Sequence, residues 1–250
     1  MNFYINESCK NEERQLLHIL QSFDSEGEIL VKGKRNTLKI FSLGGRIINI
    51  KKFKTPNFVN RLAYKYIRKS KAKRSYEYAQ LLLKKGIGTP LPIGFLENSD
   101  VLGLKDSYYV SEQLDADFTF RALVEDSRFP DFENIVKAFT RFTFHLHENG
   151  IEFKDHSPGN TLIRKTPEGK YDFFLVDLNR MNFHSSMPFE LRMKNMARLT
   201  PHQHMVAMIS EEYAHLCGEK PEKVFDYLWE ETSKFQYHFF RKKILKSRFL

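Results

Sequence analysis

The spacing of apolar residues changes along this chain at about residue 114, and that change restricts the folds it can adopt. Before it, short runs of β-forming residues predict five strands, at 29–32, 37–43, 47–53, 94–96 and 107–111. Gly44-Gly45, between the second and third runs, is typical of a two-residue hairpin. After residue 114 the spacing is mostly that of amphipathic helices. We therefore expect an α+β chain whose N-terminal part carries an antiparallel five-stranded sheet.

Helical periodicity extends over five stretches of the sequence. Two lie in the N-terminal part, at 8–22 and 57–85, and three lie beyond it, at 132–149, 189–217 and 221–247. Gly150 follows the first of these three as a suitable C-terminal stop. Two short strands are predicted next, at 161–164 and 173–176. The sequence thus predicts an N-terminal lobe at 1–113, with the sheet, and a mainly helical C-terminal lobe at 114–250.

The composition excludes several classes of protein. Of 250 residues, 41% are hydrophobic and 14% aromatic, so the chain has the material for a sizeable core and is not predicted to be disordered. Its two cysteines, Cys9 and Cys217, cannot form a disulfide framework. They also lack the Cys/His spacing of a zinc site.

The positive charge of the chain is concentrated in one stretch. Lysine and arginine number 40 against 31 acidic residues, yet residues 51–74 hold ten basic residues and no acidic one. Outside this stretch the two signs nearly balance. Aromatic and aliphatic residues alternate with the charges, which favours a surface for an anionic partner such as phosphate, nucleic acid or a membrane. An ordinary solvated helix face is the alternative.

Two short polar segments carry the residue types that phosphoryl transfer needs. Asp155 and Asn160 lie on the loop before the strand at 161–164, and Asp177 follows the strand at 173–176. Because the two strands of a hairpin lie side by side, these three side chains are expected to face one cleft. A carboxylate can orient an attacking hydroxyl, and further oxygen ligands can hold Mg²⁺ against the phosphates of a nucleotide.

In the order and spacing of its motifs the chain resembles the protein-kinase-like superfamily. Asp155-x-x-x-x-Asn160 matches the catalytic loop, and Asp177 stands where the metal-binding aspartate begins Asp-Phe-Gly. Lys51 ends Ile-Asn-Ile-Lys, as the nucleotide-binding lysine ends Val-Ala-Ile-Lys, and Glu77 stands at its helical partner. The resemblance implies a bilobal fold in which Asp155 positions the acceptor hydroxyl and Asn160 and Asp177 bind Mg²⁺.

The same resemblance implies how ATP is bound. Lys51, held by Glu77, contacts the α and β phosphates. Gly33 and Lys34 belong to the loop that covers the phosphates, and Glu112 and Leu114 lie in the hinge that meets adenine.

Several departures point away from a regulated protein kinase. The phosphate-covering loop has the single glycine Gly33, and the catalytic loop reads Phe-Lys-Asp in place of His-Arg-Asp. Asp177 is followed by Leu-Asn, so the usual glycine is absent, and Ser157 replaces the usual lysine. No activation segment ending in Ala-Pro-Glu is present. These losses favour a small-molecule kinase.

Within the superfamily the chain looks most like the kinases of lipopolysaccharide core sugars. The resemblance rests on the basic strand end at 51–54, the basic and aromatic stretch at 61–78, the Gly-Ile-Gly-Thr-Pro turn at 86–90 and the loop at 155–160. It implies ATP and Mg²⁺ as cofactors and a sugar hydroxyl of Kdo, with heptose as second choice, on lipid A as acceptor. It also implies a cytoplasmic protein at the inner face of the bacterial inner membrane.

Two basic regions are candidates for contact with an anionic membrane surface. One is the patch at 51–74, and the other is the C-terminal run, in which Phe239, Phe240, Ile244, Leu245 and Phe249 alternate with lysine and arginine. For that run, packing on the lower lobe is an equal alternative. His156 is predicted either to contact substrate or to stabilise its loop. Arg192, Lys194 and Arg198 are candidates for binding an anionic acceptor, with solvated charge as the default.

Other functions compete with a sugar kinase. An atypical protein kinase of the RIO type would turn the basic patch toward ribosomal RNA, although nucleic acid is not the expected partner. An aminoglycoside-type kinase would need an acidic pocket for a cationic drug, which the charge balance disfavours. A pseudokinase scaffold at the membrane is the non-enzymatic alternative, and the retention of Lys51, Asp155, Asn160 and Asp177 argues against it.

Overall fold

The structure, a computed structural model, describes residues 1–33, 36–57, 61, 64 and 68–247, with the side chain of Lys246 left aside. The chain divides into two compact units, Met1–Asp115 and Ala116–Leu250. Lys34 and much of the basic stretch at 51–74 lie outside the described residues, as does Phe249. Within the described ranges, no helix has the length and apolar character that crossing a bilayer requires.

A single antiparallel sheet dominates the first unit. Its strands in chain order are β1 (Asn2–Ile5), β2 (Glu28–Lys32), β3 (Asn36–Leu43), β4 (Arg46–Phe53), β5 (Pro92–Asp100) and β6 (Gly103–Glu112). They lie in the order β1-β5-β6-β4-β3-β2. The five predicted strands are all present, but the sheet has six strands rather than five. The strand missed is β1, whose four residues pair with β5 at the sheet edge.

The two faces of this sheet are covered by different helices. A 3₁₀ turn (Glu7–Glu12) and α1 (Glu13–Gln21) occupy one face, and α2 (Lys71–Lys84) lies against the other. Strand β4 shows the alternation that this requires, since Ile48 and Ile50 are buried with α1 while Phe53 is buried with Ala72 and Tyr76 of α2. Each β4 side chain is therefore assigned to a face by its position.

Helix α2 is shorter than the helix predicted at 57–85. Ser70 is its N-cap, with the hydroxyl oxygen accepting a hydrogen bond from the backbone N of Lys73 at 3.0 Å. The cap residue has extended backbone angles, so the helix that carries Glu77 begins at Lys71. The prediction of one helix at 57–85 ran across the non-helical residues 68–70, because the sequence before and after them has helical spacing.

The second unit combines two small sheets with five helices in its described residues. Its elements are β7 (Phe118–Thr119), α3 (Arg121–Glu125), α4 (Phe132–Glu148), β8 (Ile151–Phe153), a 3₁₀ turn (Pro158–Asn160), β9 (Thr161–Lys165), β10 (Tyr171–Leu175), β11 (Met181–Phe183), α5 (Phe189–Met196), α6 (Gln203–Cys217) and α7 (Pro221–Ser247). The helical region predicted at 189–217 is two helices, because residues 197–202 are not helical. The short strands β7, β8 and β11 were not predicted.

Helix α4 lies at the centre of the core of the second unit. Its buried face packs with α5, α6 and α7, with Ile163 of β9 and with the aromatic side chains of β10. Gly150 ends it with φ at +70°, where a side chain would overlap the carbonyl oxygen of His184. The predicted stop therefore rests on the left-handed conformation that glycine adopts readily. The chain then turns directly into β8 and the polar loop at 154–160.

Candidate active site

Two strand pairs hold the predicted catalytic segments against each other. Strand β8 pairs with β11, and strand β9 pairs with β10. The loop at 154–160 joins β8 to β9, and the segment at 176–180 joins β10 to β11. Both segments are therefore fixed at both ends, and two backbone bonds join them, from Val176 N to Asn160 O at 3.0 Å and from Lys154 N to Arg180 O at 3.0 Å. In this way the structure brings the Asp155 loop and the Asp177 segment together.

Asp155 lies within this loop with its carboxylate held on one side. Its Oδ1 accepts hydrogen bonds from Arg180 Nη1 and from Arg198 Nη1, each at 3.0 Å. Its Oδ2 has no hydrogen-bond partner among the described residues. The side chain is 17% exposed, so the carboxylate is accessible at one edge. A carboxylate anchored through one oxygen presents the other to a ligand in a fixed direction.

Asn160 is oriented by the backbone of the loop it closes. Its Nδ2 donates to the carbonyl oxygen of Asp155 at 2.8 Å, across the five residues that separate them. The amide nitrogen is therefore used within the loop, and the amide oxygen is the atom left to bind a ligand. That oxygen is a suitable donor for a hard cation.

Asp177 has an uncommon backbone conformation. Its φ is +61°, one of two positive values among the described non-glycine residues. Aspartate tolerates this left-handed region better than most residues, and such conformations cluster at functional sites. Its Oδ1 accepts a hydrogen bond from Asn179 Nδ2 at 2.6 Å. The Asn179 side chain thus orients the carboxylate of Asp177. Asp177 directly follows Val176, the residue whose backbone N bonds to Asn160.

His156 has a packing role. It is fully buried between the rings of Phe139 and Phe153, at centroid distances of 5.7 and 5.8 Å. Neither ring nitrogen has a hydrogen-bond partner among the described residues. Burial lowers the pKa of His156 to about 4, so the ring is neutral at pH 7. Of the two predicted roles, this buried position favours stabilisation of the loop over contact with substrate.

A second buried histidine connects the loop to the helices behind it. His147 on α4 bonds to the Tyr213 hydroxyl at 2.8 Å and to Asn195 Oδ1 at 3.1 Å. Asn195 Nδ2 donates in turn to the carbonyl oxygen of Phe153, two residues before Asp155, at 2.9 Å. Burial lowers the pKa of His147 to about 3, which keeps this ring neutral as well. The network fixes the strand on which the loop begins.

Lys51 lies on β4 at a position that faces α2. It shares the parity of Phe53, and its Nζ lies 5.5 Å from the Phe53 ring centroid. Lys52 points to the other face and is paired with Asp24 at 2.7 Å. Burial, the largest single effect, lowers the pKa of Lys52. The hydrogen bonds and charge interactions with Asp24 and Tyr108 together exceed it, so the pKa is raised. Of the two neighbouring lysines, Lys52 therefore forms a structural ion pair. Lys51 lies on the sheet face that is covered by α2, the helix that carries Glu77.

Glu77 is half-buried on α2 and accepts two hydrogen bonds from Lys69 Nζ, at 2.9 and 2.8 Å. Gly33 donates from its backbone N to Asn36 O at 3.0 Å, and Lys34 lies outside the described residues. Glu112 ends β6, with its carboxylate bonded to Arg46 Nη1 at 3.1 Å and its backbone N bonded to Leu91 O. Leu114 follows two residues later and is half-buried.

Two arginines at the site were not predicted as partners of Asp155. Arg180 lies 25 residues after Asp155 and Arg198 lies 43 residues after it. No local motif connects these positions, since it is the β8–β11 pairing and the turn after α5 that bring them to the loop. Arg198 was predicted as a candidate for binding an anionic acceptor. In the structure it donates a hydrogen bond to the carboxylate of Asp155.

The side-chain oxygens of Asn160 and Asp177 suit a metal ion that is also coordinated by the phosphates of a nucleotide. Among the described residues no cluster of three His, Cys, Asp or Glu side chains could hold a metal by itself. Asn160 and Asp177 nevertheless offer an amide and a carboxylate oxygen from adjacent segments. Mg²⁺ in phosphoryl-transfer sites uses one or two such ligands together with phosphates and water.

Comparisons with known proteins identify the fold. No family model matches the chain, and no curated protein matches it by sequence. The chain is similar in structure to WaaP, which was solved in complex with acyl carrier protein. The TM-score is 0.65 at 15% sequence identity, over 94% of this chain and 99% of that chain. The chain therefore shares the fold of WaaP, and the predicted resemblance is confirmed at the level of the fold.

Proposed function

We propose that the protein is an ATP-dependent kinase that phosphorylates a hydroxyl of an inner-core sugar of lipopolysaccharide. The observation that carries this proposal is the joining of the two loops in the second unit. Asn160 bonds to the Asp155 carbonyl through its side chain and to Val176 through its backbone, and Asp177 follows Val176. Phosphoryl transfer requires a hydroxyl-orienting carboxylate beside oxygen ligands for a metal, and these three residues supply both. The shared fold with WaaP supports the same activity.

In this proposal Asp155 receives the acceptor hydroxyl. Its Oδ1 is held by the two guanidinium groups, so Oδ2 is the oxygen that accepts the hydroxyl proton. Such positioning accounts for much of the catalysis in phosphoryl transfer, because the transition state needs little covalent help from the protein. The buried His156 and His147 keep the loop rigid without adding positive charge, since their low pKa values leave both rings neutral.

Asn160 and Asp177 are the residues proposed to hold Mg²⁺. The metal, when bound, neutralises charge on the nucleotide phosphates. Asn179 contributes by donating to Asp177 and fixing the direction of its carboxylate. The chain's own part is thus to present two oriented oxygen ligands next to Asp155.

The first unit is proposed to bind ATP, so that the two units act as the lobes of a bilobal kinase. Lys51 would contact the α and β phosphates, with Gly33 and Lys34 in the loop that covers them. Glu77, which is bonded to Lys69 in this structure, is proposed as the partner of Lys51 when ATP is bound. The backbone N of Glu112 bonds to Leu91 O at 2.9 Å, and that of Gln113 bonds to Ile47 O at 3.0 Å, so both donors are used at the end of the sheet. Recognition of adenine at this hinge is therefore assigned to Leu114 rather than to the backbone N–H of Glu112.

The acceptor sugar is proposed to be Kdo, with heptose as the second candidate. Heptose is favoured by one finding, the similarity to WaaP, which acts on core heptose. Both acceptors belong to an anionic glycolipid, and a positively charged protein of +9 is suited to that partner. We also propose that the exposed end of α7 lies on an anionic membrane surface.

The decisive experiment incubates the protein with labelled ATP, Mg²⁺ and either Kdo–lipid A or a heptose-containing acceptor. Transfer of phosphate to one acceptor, abolished by Asp155→Ala, is the expected result. Asp106→Ala is a matched control, because it removes an aspartate from the first unit that bonds to Asn98 in the described structure. Lack of transfer to both acceptors, or transfer that Asp155→Ala leaves unchanged, rules the proposal out.

A further inference from the structure

A second cleft lies behind the Asp155 loop, wholly within the unit Ala116–Leu250. It has a volume of about 490 Å³ and is lined by residues of β8, α5, α7 and the chain just after α5. Sites for small molecules commonly measure about 300–1,000 Å³. The cleft is therefore large enough for a ligand of a few functional groups.

The walls of this cleft carry an excess of positive charge. Lys154, Lys194, Arg198 and Lys234 contribute cations, against the carboxylates of Glu152 and Glu231. Both carboxylates are engaged, because Glu152 Oε2 accepts from Asn182 and His184 at 2.8 and 2.9 Å and Glu231 Oε1 accepts from Lys234 at 2.9 Å. Neither Lys154 nor Lys194 has an ion pair among the described residues. The potential in the cleft favours an anion.

Arg198 lines this cleft and has a guanidinium edge that is not used in hydrogen bonds to described residues. Its Nη1 donates to the carbonyl oxygen of Lys154 at 2.9 Å and to Asp155 Oδ1 at 3.0 Å, and its guanidinium lies 5.3 Å from the ring centroid of Phe235. Its Nε is buried without a hydrogen-bond partner in the described structure. The side-chain bonds found for Arg198 there are both made by Nη1. This Nε–Nη2 edge is the one that grips phosphate and carboxylate groups with two parallel bonds.

The same guanidinium connects the cleft to the proposed catalytic carboxylate. Asp155 uses Nη1, so an anion on the opposite edge does not displace it. Such an anion instead fixes the guanidinium that holds Asp155. Binding in the cleft and orientation of Asp155 are therefore coupled through one side chain.

We propose that this cleft binds a phosphate-type oxyanion, held by the Nε–Nη2 edge of Arg198 together with Lys154, Lys194 and Lys234. We further infer that an anion bound in the cleft fixes the orientation of Asp155 through Arg198. This effect on catalysis rests on the proposed kinase function, whereas the binding of the anion does not. The oxyanion has two sources, a free phosphate compound or a phosphate group carried by the acceptor glycolipid.

Binding is tested without nucleotide or turnover. Inorganic phosphate and pyrophosphate are titrated into the full chain at low salt and followed by calorimetry. The double variant Lys194→Ala/Lys234→Ala is expected to bind at least about tenfold more weakly, because charge-assisted hydrogen bonds are lost. The control Lys170→Ala/Lys220→Ala removes two exposed lysines elsewhere in the same unit, with the same change in net charge. Absence of binding, or equal weakening in both double variants, overturns the site.

The coupling is tested by steady-state kinetics at saturating ATP. If the acceptor's phosphate fills the cleft, added inorganic phosphate raises the acceptor KM and leaves kcat unchanged. If a free phosphate compound fills it, added phosphate raises kcat. Unchanged kcat and KM at phosphate concentrations that saturate the calorimetric site disprove the coupling. An inactive protein that still binds phosphate disproves the kinase function and leaves the binding site standing.

Discussion

Asp155 illustrates how much of a site can depend on contacts distant in sequence. The spacing from Asp155 to Asn160 predicts a shared loop, and the Asn160 amide bonded to the Asp155 carbonyl agrees with that prediction. The two guanidinium groups on Oδ1 come from just before β11 and from just after α5, so no local sequence pattern predicts them. They matter chemically because they determine which carboxylate oxygen faces the acceptor.

The conformation of Asp177 permits a test that separates charge from backbone strain. Asn tolerates a φ of +61° about as well as Asp, whereas Ala in the left-handed region costs about 1 kcal/mol. We expect Asp177→Asn to fold with an unchanged melting temperature and to lose kinase activity by on the order of 10²–10³-fold, since the proposed metal ligand loses its charge. Asp177→Ala should lose activity and also melt at a lower temperature.

Thermal unfolding and phosphate transfer are measured on the same preparations of wild type and both variants. Full activity in Asp177→Asn would show that the carboxylate is not a metal ligand. Equal melting temperatures for the Asn and Ala variants would show that the positive φ imposes no strain.

At the scale of elements, strands were predicted correctly where one face is buried, because apolar and polar residues then alternate along the strand. Strands β3 and β4 have one face on α1 and the other toward α2 or solvent, so their side chains alternate. Strands β8 and β11 have three residues each, too few for any period to appear, and both were missed. They are nevertheless the strands that hold Asp155 beside Asp177. The site residues could thus be chosen from motif spacing, but the pairing that brings them together could not.

The N-cap of α2 is a second element that periodicity did not reveal, and it has a measurable energy. Ser70 is buried and its hydroxyl bonds to Lys73 N at 3.0 Å. We expect Ser70→Ala to lower the free energy of unfolding by about 1 kcal/mol, because one helix N–H loses its partner. Ser70→Thr keeps a hydroxyl acceptor and should lose only part of that amount. Urea unfolding followed by circular dichroism measures both, and equal stability of wild type and Ser70→Ala would refute the role of the cap.

The end of α7 is the element with the most exposed apolar surface. Tyr237, Phe240 and Ile244 are each more than half exposed and lie at i, i+3 and i+7, which places them on one stripe of the helix. Arg241 and Lys243 lie beside this stripe. A helix of this kind binds at a lipid interface through apolar burial and attraction to anionic headgroups.

We expect Phe240→Ser/Ile244→Ser to weaken sedimentation with vesicles of anionic phospholipid by at least about tenfold, since two apolar side chains no longer enter the interface. Val101→Ser/Leu102→Ser removes exposed apolar residues from the turn between β5 and β6 and serves as the control. Binding that is insensitive to the α7 changes, or that is as strong on uncharged vesicles, would assign the stripe to another partner.

At the scale of the whole molecule, the buried histidines make stability depend on pH. Burial lowers the pKa of His147 to about 3 and that of His156 to about 4, below the ordinary value near 6.5. Below pH 6.5 the unfolded chain therefore binds protons at these rings while the folded chain does not. Acidification from pH 6.5 toward pH 4 must then favour the unfolded state.

Both histidines lie in the unit that contains Trp229, which packs against its core and is the chain's single tryptophan. Its fluorescence in urea titrations reports the free energy of unfolding of that unit at each pH. We expect this free energy to fall between pH 6.5 and pH 4 by on the order of 1.4 kcal/mol per pH unit for each histidine. His156→Phe should remove one histidine's share of the slope, because phenylalanine keeps an aromatic ring between Phe139 and Phe153 without a site for a proton. A slope that His156→Phe leaves unchanged would mean that the proton taken up on unfolding binds elsewhere, and the neutral rings behind the Asp155 loop would then have no part in the acid sensitivity of the fold.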